Sequence, residues 1–115
     1  MNAQLLAGVP KTIELGYKTF NVRVIEAHPG HPLAGSLDFH PGSLTIEHDT
    51  NYAPHELVNT VVHEALHAIW RLSDIGCDQQ HEEYVVTVMA NGLTDLMRRN
   101  PGLMGWIKEA LDSET

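Results

Sequence analysis

Two histidines and a glutamate stand at a spacing that suits metal chemistry. The segment His63-Glu64-Ala65-Leu66-His67 has the pattern H-E-x-x-H. Residues four apart on an α-helix project in nearly the same direction, so both imidazoles can reach one metal ion. Zinc binds imidazole nitrogen at about 2.0–2.1 Å, and Glu64 lies about 100° round the helix, where it can accept a proton from a metal-activated water. The pattern predicts zinc bound by His63 and His67, with Glu64 as the general base.

A catalytic zinc site needs a third protein ligand. Three candidates begin a second predicted helix: His81, Glu82 and Glu83. On a helical wheel, Glu82 points near the middle of the apolar arc of that helix and Glu83 lies at its edge. Thr87, one turn after Glu83, is placed to hydrogen-bond its carboxylate. The wheel therefore favours Glu83, with Glu82 and His81 as the alternatives. The residues that define the arc are Val85, Val86, Met89, Leu93 and Leu96.

The chain around the H-E-x-x-H segment is typical of an amphipathic helix. Helix-start residues occupy 49–51, Pro54 suits the first turn, and apolar residues recur at helical spacing as far as Leu72. His63 and His67 are expected at one edge of the apolar arc, where a site has both a dry wall and an opening. The centre of that arc is expected to consist of Val58, Val62, Ala65 and Ile69.

Two more helices are predicted towards the C-terminus. Asp78 is a candidate N-cap for the second helix, and the Asn100-Pro101 pair ends it. A short third helix is expected over 103–111, with Trp106 in the core.

The first half of the chain is typical of strands and turns. A half-buried strand is predicted over 19–24, where apolar and polar residues alternate, and a loop over 28–32. Two further strands at 36–39 and 44–48 are expected to form a hairpin through a Pro-Gly turn at 40–43. We therefore expect an α+β fold, in which a small antiparallel sheet of about three strands packs on two main helices with a short C-terminal helix. The core-facing residues of the hairpin are expected to be Leu44 and Ile46.

Composition narrows the class of protein. The chain has 115 residues, which predicts one domain over 1–115, and a formal net charge of −8, which argues against binding to nucleic acid or anionic membranes. The weakly apolar start lacks a basic segment, so a secretory signal is not expected, and the single cysteine, Cys77, fits a reducing cytoplasm. Five more histidines have no ligand-like spacing and are expected at the surface or in turns: His28, His31, His40, His48 and His55.

Two segments resemble a known class of enzyme. Residues 60–69 are similar to the metal helix, and 83–93 to the second helix, of small gluzincin-type zinc metallopeptidases. The resemblance is to short phage and prophage proteins distantly similar to the ImmA/IrrE peptidases; it covers 60–101 well and about 17–107 loosely. In that family the glutamate that opens the second segment is the third ligand, which corresponds here to Glu83.

The resemblance implies a zincin-like metallopeptidase domain with one zinc ion per chain. It implies hydrolysis of peptide bonds by a metal-activated water, with Glu64 as general base. It also implies a sheet edge above the metal helix, along which a peptide or protein substrate can lie as an added strand.

Other interpretations of the same residues remain open. The SprT-like peptidases also carry H-E-x-x-H, followed by a tryptophan and a later histidine, which Trp70 and His81 match in spacing. A different class of function is a zinc-containing binding protein that acts on a host partner without turnover, for which Glu64 would be dispensable. The intact Glu64 favours the enzyme, since structural zinc sites seldom keep a base beside an open position. The third interpretation is a chance match in a plain α+β domain.

Overall fold

The fold is α+β, as the sequence predicts. The computed structural model describes residues 2–27, 34–48 and 52–114. The predicted loop at 28–32, with His28 and His31, and the helix-start residues 49–51 lie outside the described residues. In chain order the elements are α1 (Asn2–Ala7), β1 (Thr12–Leu15), β2 (Lys18–Glu26), β3 (Ala34–Asp38), β4 (Ser43–His48), α2 (Pro54–Leu72), α3 (Gln79–Arg99) and α4 (Pro101–Asp112).

Within the described residues the sheet has four strands in the order β1-β2-β4-β3. The β3–β4 hairpin is antiparallel, as predicted, and Leu44 and Ile46 are fully buried. The expectation of about three antiparallel strands is wrong in two respects. β1 adds a fourth strand through a tight turn at Gly16, whose φ of 58° suits glycine, and β2 runs parallel to β4. The parallel pair arises because β4, the second strand of the hairpin, lies inside the sheet next to β2 and leaves β3 at the edge.

α2 lies across the sheet and has the predicted bounds. Ala53 precedes it, and the Glu56 carboxylate accepts a hydrogen bond from the Ala53 amide over 3.1 Å. The buried residues of α2 are Leu57, Glu64 and Ala68. The expected centre of the apolar arc is wrong, because Val58 and Ile69 are 42% and 43% exposed. α2 carries apolar residues on more than one flank. The flanks that pack against the sheet and α3 are not the flank that the helical wheel predicts to be buried.

α3 is capped by Asp78, whose carboxylate accepts a hydrogen bond from the His81 amide over 2.8 Å. Its buried residues are Glu82, Val86, Ala90 and Thr94. The predicted arc is therefore wrong in its orientation, since Met89 and Leu96 are exposed. Small side chains at Ala90 and Thr94 allow a close approach of α3 to its neighbours, and this packing outweighs the larger apolar residues on the adjacent flank.

Two further expectations are corrected. His48, expected at the surface, is fully buried, because it follows Leu44 and Ile46 on the core-facing side of β4. Its Nε2 lies 2.9 Å from the Thr60 Oγ1 on α2. Trp106, expected in the core, is 65% exposed on α4, which begins two residues earlier than predicted. His40 and His55 are exposed, as expected. Across the described residues, none of the helices is both long and apolar enough to cross a membrane.

Candidate metal centre

His63 and His67 lie one turn apart on the flank of α2 that faces the start of α3. Their Nε2 atoms are 3.2 Å apart, and both rings are half-buried. The helical spacing of the motif therefore produces the expected convergence of two imidazole nitrogens. Burial lowers the pKa of His63, while the nearby Glu83 carboxylate opposes that shift and His67 adds to it. A lowered pKa keeps the His63 ring neutral and able to bind a metal at neutral pH.

Glu83 completes the group from the N-terminal part of α3, just after its first turn. Its Oε1 lies 3.0 Å from the His63 Nε2, and its Oε2 lies 2.8 Å from the His67 Nε2. Among the described residues, His63, His67 and Glu83 form a group whose ligand atoms all lie within 4.8 Å of one another. The Thr87 hydroxyl donates to Glu83 Oε1 over 3.4 Å, as its spacing predicts. His81 stands outside this group, on an exposed position of the same helix turn.

These three donors fit zinc in both chemistry and spacing. Zinc prefers imidazole nitrogen and carboxylate oxygen, and bonds of 2.0–2.2 Å in a tetrahedron place neighbouring ligand atoms about 3.3–3.6 Å apart. The separations of 2.8, 3.0 and 3.2 Å between the converging atoms come close to these tetrahedral edges. Small side-chain shifts would therefore open the triangle enough for a zinc ion.

Glu82 supports His67 from behind. Its Oε2 lies 2.6 Å from the Nδ1 of His67, on the opposite side of the ring from Glu83. A carboxylate there accepts the Nδ1 proton, so that Nε2 presents its lone pair towards the converging donors. The wheel points Glu82 towards the middle of the apolar arc and therefore disfavours it as the third ligand. In the structure that direction brings its carboxylate to the rear of His67.

Substitution of Glu82 by glutamine is expected to weaken zinc binding by roughly 10- to 100-fold, because the amide holds the His67 tautomer less firmly than a carboxylate does. Competition titration against a chromogenic chelator measures the change. Glu109→Gln, on α4, is the matched control and should bind zinc like the wild type. Equal zinc affinity in the Glu82 and Glu109 variants would contradict the supporting role of Glu82.

Glu64 is 5% exposed, beneath the edge strand β3. The close neighbour is Gly35: a Cβ built on Gly35 would lie 2.7 Å from Glu64 Oε2 and 3.0 Å from its Cγ. Burial raises the pKa of Glu64 from its ordinary value of 4.5 to about 7; His67 opposes this rise and Glu83 adds to it. A carboxylate whose pKa lies near the working pH is an effective general base.

The raised pKa of Glu64 predicts a pH dependence of stability in the metal-free protein. The folded chain holds the Glu64 proton at pH values where the unfolded chain has lost it. This contribution to the free energy of unfolding is therefore fully present below 4.5 and is lost as the pH rises through about 7. Glutamine at position 64 cannot titrate. The melting temperature of the wild type should therefore fall relative to that of Glu64→Gln as the pH rises from 5 to 8. Thermal unfolding with a chelator present measures this, and parallel pH profiles would rule it out.

Gly35 is expected to position Glu64. On the metallopeptidase interpretation of the sequence, Gly35→Ala should lower kcat for peptide cleavage by roughly 10- to 100-fold at unchanged zinc content, because the carboxylate must move away from the new methyl group. The atoms in the way belong to a side chain, so β3 itself can persist. Gly92→Ala is the control, since nothing lies within 4 Å of a Cβ there. Equal kcat values for the two variants would contradict this role.

The three donors and Glu64 line an open cleft of about 440 Å³. β3, one of the two edge strands of the described sheet, borders the cleft with Gly35, Ser36 and Leu37. Arg71, Gln79 and Gln80 line it from the helices. Arg71 lies on α2 one turn after His67, so its place in the cleft follows from helical spacing. Gly35 is on β3, far from the motif in sequence, and only the tertiary fold brings it to the site.

Compared with models of protein families, with curated proteins and with solved structures, the chain matches none of them. The resemblance to gluzincin-type peptidases is thus a prediction from residues 60–101, and the site is interpreted from its own geometry.

Proposed function

We propose that this protein is a zinc-dependent metallopeptidase of the gluzincin type, which hydrolyses peptide bonds in a peptide or protein substrate. The observation that carries the proposal is the convergence of His63, His67 and Glu83 within 4.8 Å, next to the buried carboxylate of Glu64 in an open cleft. The first three side chains would hold zinc, and Glu64 would act as the base. A purely structural zinc site does not need a base such as Glu64.

The position of each residue in the site determines the role proposed for it. His63, His67 and Glu83 would hold one zinc ion, Glu82 would fix the ring of His67, and Thr87 would steady the Glu83 carboxylate. The ion would supply a Lewis acid that activates water and stabilises negative charge on the carbonyl oxygen. Glu64 would take the proton from the attacking water and return it to the leaving amine.

The cleft favours an extended substrate. β3 is the edge strand at its border, and an edge strand offers backbone donors and acceptors to an added peptide strand. The net charge of −8 disfavours nucleic acid as the substrate. The single cysteine, Cys77, is exposed and free, which fits a reducing compartment, so we place the activity in the cytoplasm.

Zinc-dependent cleavage is the direct test. The full chain, loaded with zinc, is incubated with a mixture of short unstructured synthetic peptides, and new termini are identified by mass spectrometry. Cleavage that stops on chelation and returns with added zinc supports the proposal. Stoichiometric zinc binding without cleavage of any peptide would contradict it and would favour the zinc-containing binding protein.

A further inference from the structure

Within the described residues, the C-terminal helix leaves much of its apolar side exposed. α4 spans Pro101–Asp112, its main contact is with α3, and none of its residues is buried. Its apolar residues recur at helical spacing and fall on one side of the helix. They are Leu103, Met104, Trp106, Ile107, Ala110 and Leu111. A three-turn amphipathic helix is ordinarily stabilised by packing of this side rather than by propensity alone.

α3 adds exposed apolar side chains of its own. Met89 and Leu96 are 49% and 42% exposed. Leu103, Trp106 and Leu111 of α4 are 38–65% exposed, and together with the two α3 residues we call this set the α3–α4 apolar surface, which we infer to lie along one face of the two consecutive helices. Exposed clusters of this kind on a small domain mark interaction sites.

The total surface of the chain is larger than its mass predicts. The chain exposes 7762 Å². A compact monomer of 12.8 kDa exposes roughly 6,300 Å², which leaves a surplus of roughly 1,500 Å². A standard protein interface buries about 800 Å² on each partner. The exposed area of the chain is therefore large enough to include one side of a stable interface.

The charge distribution favours a second copy as the partner. Residues 88–112 carry three acidic and three basic side chains, so this part is neutral, although the whole chain has a net charge of −8. Two copies that meet through this segment avoid most of the repulsion between their acidic parts. The acidic members are Asp95, Glu109 and Asp112; the basic members are Arg98, Arg99 and Lys108.

We propose that the protein forms a symmetric homodimer through the α3–α4 apolar surface, with Trp106 near the centre of the contact. An interface that uses the same surface on both copies closes on itself and stops at two chains. Buried tryptophan is the side chain that most often dominates such contacts. This proposal does not depend on the metal centre, which involves α2 and the N-terminal part of α3.

Sedimentation equilibrium of the full chain tests the proposal. At about 100 µM chain and 0.15 M salt we expect twice the 12.8 kDa chain mass, with no dissociation at higher salt, since the contact is apolar and neutral. The double variant Trp106→Ser, Leu111→Ser should weaken dimerisation by about 30-fold or more. Both side chains are more than half exposed, so the monomer should keep its fold, which circular dichroism and thermal unfolding check.

Tyr17→Ser is the matched control. Tyr17 is an 83% exposed aromatic residue in the β1–β2 turn, outside the proposed contact, and its variant should stay dimeric. A monomeric wild type at this concentration would overturn the proposal. A dimer that the double variant does not weaken would overturn it as well, and so would open-ended assembly beyond two chains.

Discussion

Replacement of Glu64 by glutamine is expected to lower kcat/KM for peptide cleavage by about 100-fold or more, while zinc content stays at that of the wild type. Glutamine has the shape of Glu64 but cannot accept a proton from water. Glu64 lies beneath Gly35 and is not one of the three converging donors, so its replacement spares the metal ligands. Steady-state cleavage of a peptide identified as a substrate, together with metal analysis of the same sample, measures both quantities.

The control for this prediction is Glu56→Gln, in the first turn of the same helix. Glu56 accepts a hydrogen bond from the Ala53 amide and takes no part in the cleft, so its variant should cleave peptides at the wild-type rate. Full activity in Glu64→Gln would remove Glu64 from the mechanism. Loss of zinc in that variant would show that Glu64 binds the metal rather than the water.

Zinc is expected to raise the melting temperature of the wild type by about 10 °C or more. Ligand present at about 1,000 times its Kd stabilises the folded state by about 4 kcal/mol, and 1 kcal/mol shifts the melting temperature of a domain of this size by several degrees. Zinc would stabilise the folded state because its ligands lie on two helices. His63 and His67 are on α2, and Glu83, which they contact, is on α3. Thermal unfolding with and without excess zinc measures the shift, and His67→Ala should abolish it.

His55→Ala provides the comparison within α2. His55 is an exposed histidine near the start of the helix, so this variant should respond to zinc as the wild type does. A shift that survives in His67→Ala would place zinc elsewhere on the chain. An unchanged melting temperature in the wild type would mean that the three donors do not hold zinc.

Local signals in the sequence predict the bounds of α2, the N-cap of α3 and the convergence of His63 and His67. Pro54 and Leu72 bound α2 as expected, and Asp78 caps α3 as expected. These features depend on a few neighbouring residues, so the sequence carries them directly. The spacing of His63 and His67 is equally local, because the turn of one helix alone brings them together.

Features that depend on packing were less predictable. The predicted buried faces of α2 and α3 are wrong because each helix has apolar residues on several flanks. Only tertiary contacts decide which of these flanks is buried. The exposure of Val58 and Met89 is the result. The wheel nevertheless separated Glu82 from Glu83 correctly in direction, since the two differ by 100° on any helix. Gly35 on β3 and Glu64 on α2 are far apart in sequence, so no local pattern predicts that they lie close together.

Zinc content of the protein, purified without added metal, tests the central claim most directly. The wild type should contain about one zinc per chain. His81→Ala should keep it, Glu83→Ala should lose it, and Glu82→Ala should retain only a part. This pattern would establish that the chain holds zinc and would identify Glu83 as the third ligand beside the two histidines of the motif. A wild type that contains no zinc, and takes up none on titration, would contradict the account and leave His63 and His67 as ordinary residues of α2.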